Sequence, residues 1–301
     1  MSDRRFLVFE TGGTKLVAAL ADADARLLET RILRRNHDDR AEQSLERLIE
    51  TGKELAAGVE LAGVGFGYGG AVNRAARRPM ICLHEPGWED LDPVARLDAE
   101  FGAPAAIEND CKLAALAEAR LGAGKGAETV FYITIGTGIG GGLVHKGSIV
   151  ALSPLGEAEI GHVVVDPEGP ECDCGNRGCL ESLCAGPNLP RLYAGEAVTS
   201  KDVFERAAAG EERGLAAVER AADYLGRALS MAANLACPDV FVVGGGLGAA
   251  YPDFLERIEA RAKAWTVPYF RERVRVRPSA LREQVVTQGA ALLVADPVRP
   301  V

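Results

Sequence analysis

An α/β fold of two similar domains facing one cleft is predicted by two observations. One layout of strand and glycine turn occurs twice along the chain, and each occurrence leads to an amphipathic helix or a buried strand that ends in glycines. With 301 residues there is room for about two domains, each with its own core.

The elements justify themselves in order. Residues 5–9 are a β-rich run, Gly12-Gly13 makes a turn, residues 16–20 continue extended, and 27–33 add a third extended piece. Residues 39–57 carry Leu45, Leu48, Ile49 and Leu55 at helical spacing, which predicts a helix. Residues 61–66 read as a buried strand ending in glycines. The layout then returns: 130–135 is a strand, Gly136-Thr137-Gly138 turns, and 140–145 runs back. A long helix over 214–235 leads into the strand 240–243, which ends in Gly244-Gly245-Gly246. Domains are therefore expected over 1–118 and 119–289, with 290–301 available to complete the first. Glycine lets backbone amides approach an anion with no side chain between, so paired glycine hairpins can cradle nucleotide phosphates.

The pattern G-x-G-x-x-G or G-x-G-x-x-A starts at Gly65, Gly136 and Gly244, and three matches in one chain show how weak it is. A dinucleotide fold needs that turn to open into a helix. The chain after Gly141 reads as extended, and after Gly65 come Asn73 and a basic loop. The Gly244 turn can start a helix near Tyr251, but no early acidic ribose partner follows. A nicotinamide enzyme is disfavoured, and a Walker A loop is absent.

Composition narrows the class further. Hydrophobic residues at 48% and 35 glycines describe a globular, glycine-punctuated chain. A formal charge of -9 gives no general electrostatic reason to bind nucleic acid. The basic stretch 271–277 alternates like a solvated strand face. No run of eighteen apolar residues exists to span a membrane, and the apolar run 6–9 is cut short by Glu10, so no signal segment is expected. These features predict a cytoplasmic protein.

Glu159-x-x-His162, Cys172-Asp173-Cys174 and Cys179-Leu180-Glu181 place one imidazole and three thiols within eighteen residues. That is a donor set for one tetrahedral zinc with no open position for a catalytic water. The chain has seven cysteines, an odd number, and in a reducing compartment clustered cysteines favour a metal over a disulfide. Cys82, Cys111, Cys184 and Cys237 sit among apolar or small residues and read as packing. A saturated metal has no use for Glu159 or Glu181, which points these acids towards a polyhydroxy ligand.

Residues 107–110 end a short apolar strand and 112–121 read as a helix, so Asp110 stands at a strand-to-helix junction. It can cap that helix. On this feature alone the cap is favoured; the functional reading is a general base, since phosphoryl acceptors need a group to orient and deprotonate the attacking hydroxyl. The segment alone serves either role.

Taken in order, Glu10-Thr11-Gly12-Gly13-Thr14-Lys15, Glu108-Asn109-Asp110, the glycine run 136–142, Glu159-Ile160-Gly161-His162, the cysteine motif through Glu181 and Val243-Gly244-Gly245-Gly246 resemble the ROK family of sugar kinases and sugar-responsive repressors. The resemblance runs from about residue 5 to Ala291 and implies an actin-like ATPase fold of two RNase H-like domains. It implies Asp110 as catalytic base and Asn109, Glu159, His162 and Glu181 as sugar ligands, with Gly70 in the sugar-side loop. His162, Cys172, Cys174 and Cys179 are then the zinc ligands. Gly12, Gly13, Thr14 and Lys15, with Thr137 and Gly138, match the phosphate loops, and Gly244, Gly245 and Gly246 flank the adenosine. The implied activity is ATP- and magnesium-dependent phosphorylation of a hexose 6-hydroxyl, with glucose the first acceptor. Fructose, an N-acetylated hexosamine such as N-acetylmannosamine, or a non-enzymatic sugar sensor are the alternatives. A homodimer is expected from the resemblance only.

Three departures from the family pattern stand out. Glu10 occupies a position that more often holds Asp. Cys111-Lys112 follow the Asn-Asp pair where Ala-Asn is usual, and Lys112 reads as solvated. The loop 67–73 lacks the usual Pro and Asp, which leaves sugar selectivity as the least defined property.

Overall fold

The computed structural model describes residues 4–36, 39–80, 85–193 and 197–296. In chain order these form β1 (Arg5–Thr11), β2 (Lys15–Asp22), β3 (Leu27–Arg34), α1 (Ala41–Leu55), β4 (Leu61–Tyr68), β5 (Val72–Asn73), β6 (Arg78–Pro79), α2 (Pro93–Phe101), β7 (Ala105–Asn109) and α3 (Asp110–Arg120). They continue through β8 (Thr129–Ile135), β9 (Ile139–His145), β10 (Ser148–Ile149), α4 (Leu180–Cys184), α5 (Ser200–Ala208) and α6 (Glu212–Ala236). The last elements are β11 (Val240–Gly244), α7 (Gly245–Ala250), α8 (Pro252–Trp265), α9 (Pro268–Arg271), β12 (Val276–Pro278) and α10 (Val285–Ala295). Cys82, read above as packing, lies outside the described residues.

The chain divides into two compact units. One comprises Met1–Ala117, Ser148–Glu157 and Glu283–Val301; the other comprises Glu118–Gly147 and Ala158–Arg282. The first sheet runs β3-β2-β1-β4-β7, and the second runs β10-β9-β8-β11-β12. In each, a hairpin (β1–β2, β8–β9) is antiparallel, and its first strand pairs in parallel with a later strand (β4, β11). The duplicated layout read from the sequence is therefore a duplicated sheet topology.

In the first unit, Leu45, Leu48, Ile49 and Leu55 of α1 are all buried. Each contributes roughly 1.5–3 kcal/mol of apolar transfer, which stabilises a fifteen-residue helix that would be marginal alone. Trp88 packs against Phe66 and Tyr68, with ring centroids 5.6 and 5.4 Å apart. On β4 the alternate glycines admit α10: a Cβ on Gly65 would lie 2.2 Å from the Ala290 carbonyl oxygen. The first of the three G-x-G-x-x matches is thus a helix-packing surface.

In the second unit, Ala221, Ala222, Leu225, Ala228 and Leu229 of α6 are buried in a core shared with Ile133, Phe241 and Val243. The helix expected near Tyr251 is α8, with Tyr251 at its cap; a shorter helix, α7, precedes it, and β11 runs directly into α7 at Gly245, which adopts a left-handed φ of 79°. Of the basic stretch, only Val276–Pro278 is strand; Pro268 starts the short helix α9 upstream and Arg273 closes a turn onto Phe270. Among the described residues no helix is long and apolar enough to cross a membrane.

Candidate active site

The first glycine turn joins β1 to β2. Gly12 donates to the Lys15 carbonyl at 3.0 Å, and Arg35 Nη1 donates to the Gly13 carbonyl at 3.1 Å. Gly13 and Thr14 are exposed. Behind the turn a cavity of about 20 Å³, lined in part by Thr11, Gly12, Arg35 and Gly69, has room for one water. Glu10, the last-but-one residue of β1, is buried; its Oε2 has no hydrogen-bond partner, and Lys15 Nζ stands 3.7 Å from its Oε1. Burial, reinforced by the charge of Asp110, raises the Glu10 carboxyl to about 7 against the opposing pull of Lys15.

At the head of α3 the side chains of both Asn109 and Asp110 meet helix amides. Asn109 Oδ1 accepts from the amides of Cys111 (3.0 Å) and Lys112 (3.2 Å), so the asparagine caps α3. Its Nδ2 donates to the Gly70 carbonyl at 3.0 Å and to Asp110 Oδ1 at 3.1 Å. Asp110 Oδ1 also accepts from the Cys111 amide at 2.7 Å. A Cβ on Gly69 would lie 3.8 Å from Asp110 Oδ2 and 3.0 Å from the Thr11 carbonyl, so Oδ2 faces the end of β1. Lys112 is 3% exposed, not solvated. The reason is that every residue from Cys111 to Ala119 is buried, which leaves α3 no wet face.

Sequence reasoning missed Arg74, which follows the sugar-side loop. Its Nη1 and Nη2 donate to Glu157 at 2.6 and 2.8 Å, and its Nε donates to Glu108 at 2.6 Å. Its amide donates to the Pro154 carbonyl at 2.9 Å. Burial lowers the guanidinium pKa, but the hydrogen bonds that it donates to Glu157 and Glu108 outweigh this and hold the group above its ordinary value. Glu108 immediately precedes Asn109, and Glu157 ends the segment that the chain lends to the first unit. Removing one partner of such a buried set typically costs about 3–5 kcal/mol. Beyond Glu157, Ala158 holds a left-handed φ of 57°, a strained conformation for alanine. The signal available in the sequence was an isolated Arg beside Asn73 and a Glu two residues before Glu159.

In the second unit His162, Cys172, Cys174 and Cys179 bring one donor atom each to within 4.8 Å of one another. Glu159 is the cap position of the single 3-10 turn Ile160–His162. Cys172 Sγ lies 3.7 Å from His162 Nδ1 and Cys174 Sγ lies 3.6 Å from Cys179 Sγ. A tetrahedron with metal–sulfur bonds of about 2.3 Å has edges of about 3.8 Å, so the donors fit a zinc-sized ion. Without an ion the thiols differ: the Asn176 amide draws the Cys174 thiol down to about 7, whereas burial pushes Cys179 up to about 12. A divalent cation among the sulfurs would resolve that opposition. Cys111 and Cys184 are buried apart from this cluster and Cys237 is partly buried, in keeping with packing roles.

The second glycine turn, Gly136-Thr137-Gly138, joins β8 to β9. Gly186 donates to the Gly136 carbonyl at 2.7 Å, and the Ile139 amide donates to Glu181 Oε2 at 2.7 Å. At the end of β11, a Cβ on Gly244 would lie 2.1 Å from the Tyr132 hydroxyl, and one on Gly245 would lie 2.4 Å from the Ile135 carbonyl oxygen. Gly246 opens onto free space. Past α7, Tyr251 stacks on Phe204 with centroids 4.0 Å apart, and both line a pocket of about 210 Å³ with Leu215, Phe254 and Arg257.

The ROK family matches residues 7–297 of the chain. A glucokinase of Halalkalibacterium halodurans is 30% identical over 98% of this chain and 96% of its own length. An N-acetylmannosamine kinase of Citrobacter koseri is 34% identical over 81% and 84% respectively. Among solved structures, a ROK hexokinase from Thermus thermophilus superposes with a TM-score of 0.85 at 32% identity, covering 96% of this chain and 97% of that one. A ROK family glucokinase from Streptomyces griseus, in complex with glucose and AMPPNP, gives 0.82 at 26% identity over 96% and 98%.

Proposed function

Because this chain belongs to the ROK family, we propose that it is an ATP-dependent hexose kinase that transfers the γ-phosphate to a sugar 6-hydroxyl, with glucose as acceptor. The glucokinases among its relatives support the acceptor, and the AMPPNP complex of its structural neighbour supports the donor. The observation that carries the mechanism is the arrangement at the head of α3. Asn109 Oδ1 takes the amides of Cys111 and Lys112, and Asp110 shares the Cys111 amide through Oδ1.

In this reading the sugar is held by Asn109, Glu159, His162 and Glu181, with the Gly70 carbonyl in the same set through its bond to Asn109. Asp110 Oδ1 is oriented by two donors, and the Asp110 carboxylate takes the proton as the 6-oxygen attacks the γ-phosphorus. The bond from that phosphorus to the β–γ bridging oxygen breaks, and ADP leaves with the electron pair. The glycine turns at Gly12-Gly13-Thr14 and Thr137-Gly138 present backbone to the phosphates, with Lys15 adding positive charge beside the first. The pocket of Phe204 and Tyr251 receives the base beyond Gly244–Gly246. Magnesium, when bound, neutralises charge on the transferring phosphates. Glu10, whose buried Oε2 has no hydrogen-bond partner, would be the carboxylate at hand to help hold that ion. Zinc on His162, Cys172, Cys174 and Cys179 fixes the loop that presents Glu159 and Glu181. A homodimer and a cytoplasmic location belong to the same proposal and rest on the family resemblance and the sequence.

The test is ADP release with ATP and magnesium across glucose, fructose, mannose, N-acetylglucosamine and N-acetylmannosamine, with Asp110→Asn as control. Turnover on glucose that is lost in the control is expected. Selective turnover of N-acetylmannosamine would move the acceptor to an amino sugar, a choice that the Citrobacter koseri relative makes a real alternative. Sugar binding without turnover would make the chain a sensor.

A further inference from the structure

We propose that Glu181 couples the two substrates: one carboxylate oxygen holds the second glycine turn while the other holds the sugar, so each ligand raises the affinity for the other. The proposal rests on the sugar-kinase reading above and adds to it a connection that no motif displays.

The connection is built entirely within the second unit. Glu181 Oε2 accepts the Ile139 amide at 2.7 Å, and a Cβ on Gly138 would meet that same oxygen at 2.6 Å. The carboxylate therefore sits directly against the turn residue expected to face phosphate. Oε1 has no hydrogen-bond partner among the described residues, so it is the atom left for a sugar hydroxyl. Glu181 is itself held: it follows Cys179 of the metal set, and Asn188 Nδ2 donates to its carbonyl at 2.9 Å. Five residues on, Gly186 donates to the Gly136 carbonyl at the opposite end of the turn. The segment before the cysteines also touches the hairpin, because a Cβ on Gly161 would lie 2.0 Å from the Ile139 carbonyl oxygen. His162 and Cys179, at the heads of these two segments, belong to one donor cluster.

Gly136, Gly138 and Ile139 are thus gripped by the two segments that also carry the sugar ligands. A sugar hydroxyl donating to Oε1 fixes the carboxylate plane and, through Oε2, the Ile139 amide and the turn. The nucleotide then meets a turn already ordered, which is a coupling free energy between two sites and acts equally in both directions.

The experiment is calorimetric titration of AMPPNP with magnesium, with and without a saturating acceptor sugar, alongside the Michaelis constants for both substrates. In the parent, sugar is expected to tighten AMPPNP by about five- to fiftyfold. In Glu181→Ala the Kd for AMPPNP and the KM for sugar should each rise about tenfold, the worth of one charge-assisted hydrogen bond, and the coupling should fall below about twofold. Glu181→Gln keeps an oxygen for the Ile139 amide. It should restore the AMPPNP Kd to within about threefold of the parent while the sugar KM stays raised, a split that a purely structural glutamate would not produce. Gly138→Ala presses on Oε2 from the turn side and should reproduce the nucleotide loss, which keeps the test decisive if Glu181→Ala does not fold.

A Glu181→Ala protein with raised sugar KM but unchanged AMPPNP affinity and intact coupling overturns the proposal. A parent that phosphorylates a hexose yet shows no sugar effect on AMPPNP overturns the coupling alone and leaves the kinase standing. A parent that neither binds nor phosphorylates any hexose overturns both.

Discussion

The two glycine turns occupy equivalent places in matching sheets, β1–β2 and β8–β9, yet they are supported by opposite charges. Arg35 donates to the carbonyl of Gly13 in the first, whereas Glu181 accepts from the amide of Ile139 in the second. The first turn also has ionisable groups in its own strands, Glu10 and Lys15, and lies beside Asp110. The second has none within its turn and borrows its support from a segment 42 residues away that is tied to the metal cluster. In the reading proposed above, duplicated backbone is given divided work: reactive charge with the first turn, positioning with the second.

The division can be broken most forcefully at the first turn. Asp110→Asn keeps the shape and the contact to Asn109 but removes the proton acceptor, so kcat should fall by roughly 10²–10⁴-fold with sugar affinity within about threefold. Steady-state kinetics with calorimetry checks this, and a turnover unchanged from the parent would remove Asp110 from the base role. The counterpart at the second turn is Cys174→Ser. Because Cys174 is exposed, the change leaves no core cavity, and its effect runs through the metal. Zinc measured by atomic emission should fall well below one per chain, the melting temperature should drop, and both substrate affinities should weaken more than kcat does. Retention of full zinc content would contradict the donor assignment.

A third change sharpens the electrostatic side. The Glu10 carboxyl is raised in the folded protein, so its ionisation destabilises the fold as pH rises from about 4.5 through about 7. Below that window the group is protonated in both states and contributes nothing. Glu10→Gln in metal-free, nucleotide-free protein should then be more stable than the parent by up to about 3 kcal/mol at pH 8 and equal to it at pH 4. Paired urea titrations at the two pH values read the difference, and an equal effect at both would remove the charge as its cause. The smallest expected effect is at Gly13, where a Cβ meets nothing within 4 Å. Gly13→Ala should keep the parental melting temperature within about a degree while AMPPNP affinity falls about fivefold, since only the ligand approaches that face. Unchanged affinity would mean that phosphate does not come close to it.

The repeats, both turns, α1 and α6 were legible because their signals are local: alternation, a 3.6-residue period and glycine punctuation. The clustering of His162, Cys172, Cys174 and Cys179 was legible for the same reason, since they lie within eighteen residues of one another. The Arg74 set was not, because its partners Glu108 and Glu157 are 34 and 83 residues away, and no pattern links an arginine to a carboxylate at that separation. Lys112 was misread because a polar residue on a helix normally marks a wet face. In α3 even Glu118 is fully buried, and it is satisfied at distance by Ser279 Oγ at 2.5 Å and the Leu281 amide at 3.0 Å. The helix near Tyr251 was legible, but the short α7 before it was not, because a triple glycine carries no helical signal; its left-handed first residue lets strand pass straight into helix.

The glycine face of β4 has a consequence in time as well as in space. That face is covered by α10, whose Ala290 backbone sits where a side chain on Gly65 would be. On a ribosome the first sheet is made early, but the helix that seals it emerges only when synthesis has passed residue 295. Until then the strand is bare apolar backbone, while most of the second unit, continuous from Ala158 to Arg282, can already close on itself. The half of the molecule that is synthesised first is thus the half that finishes folding last, and it waits exposed for its own tail.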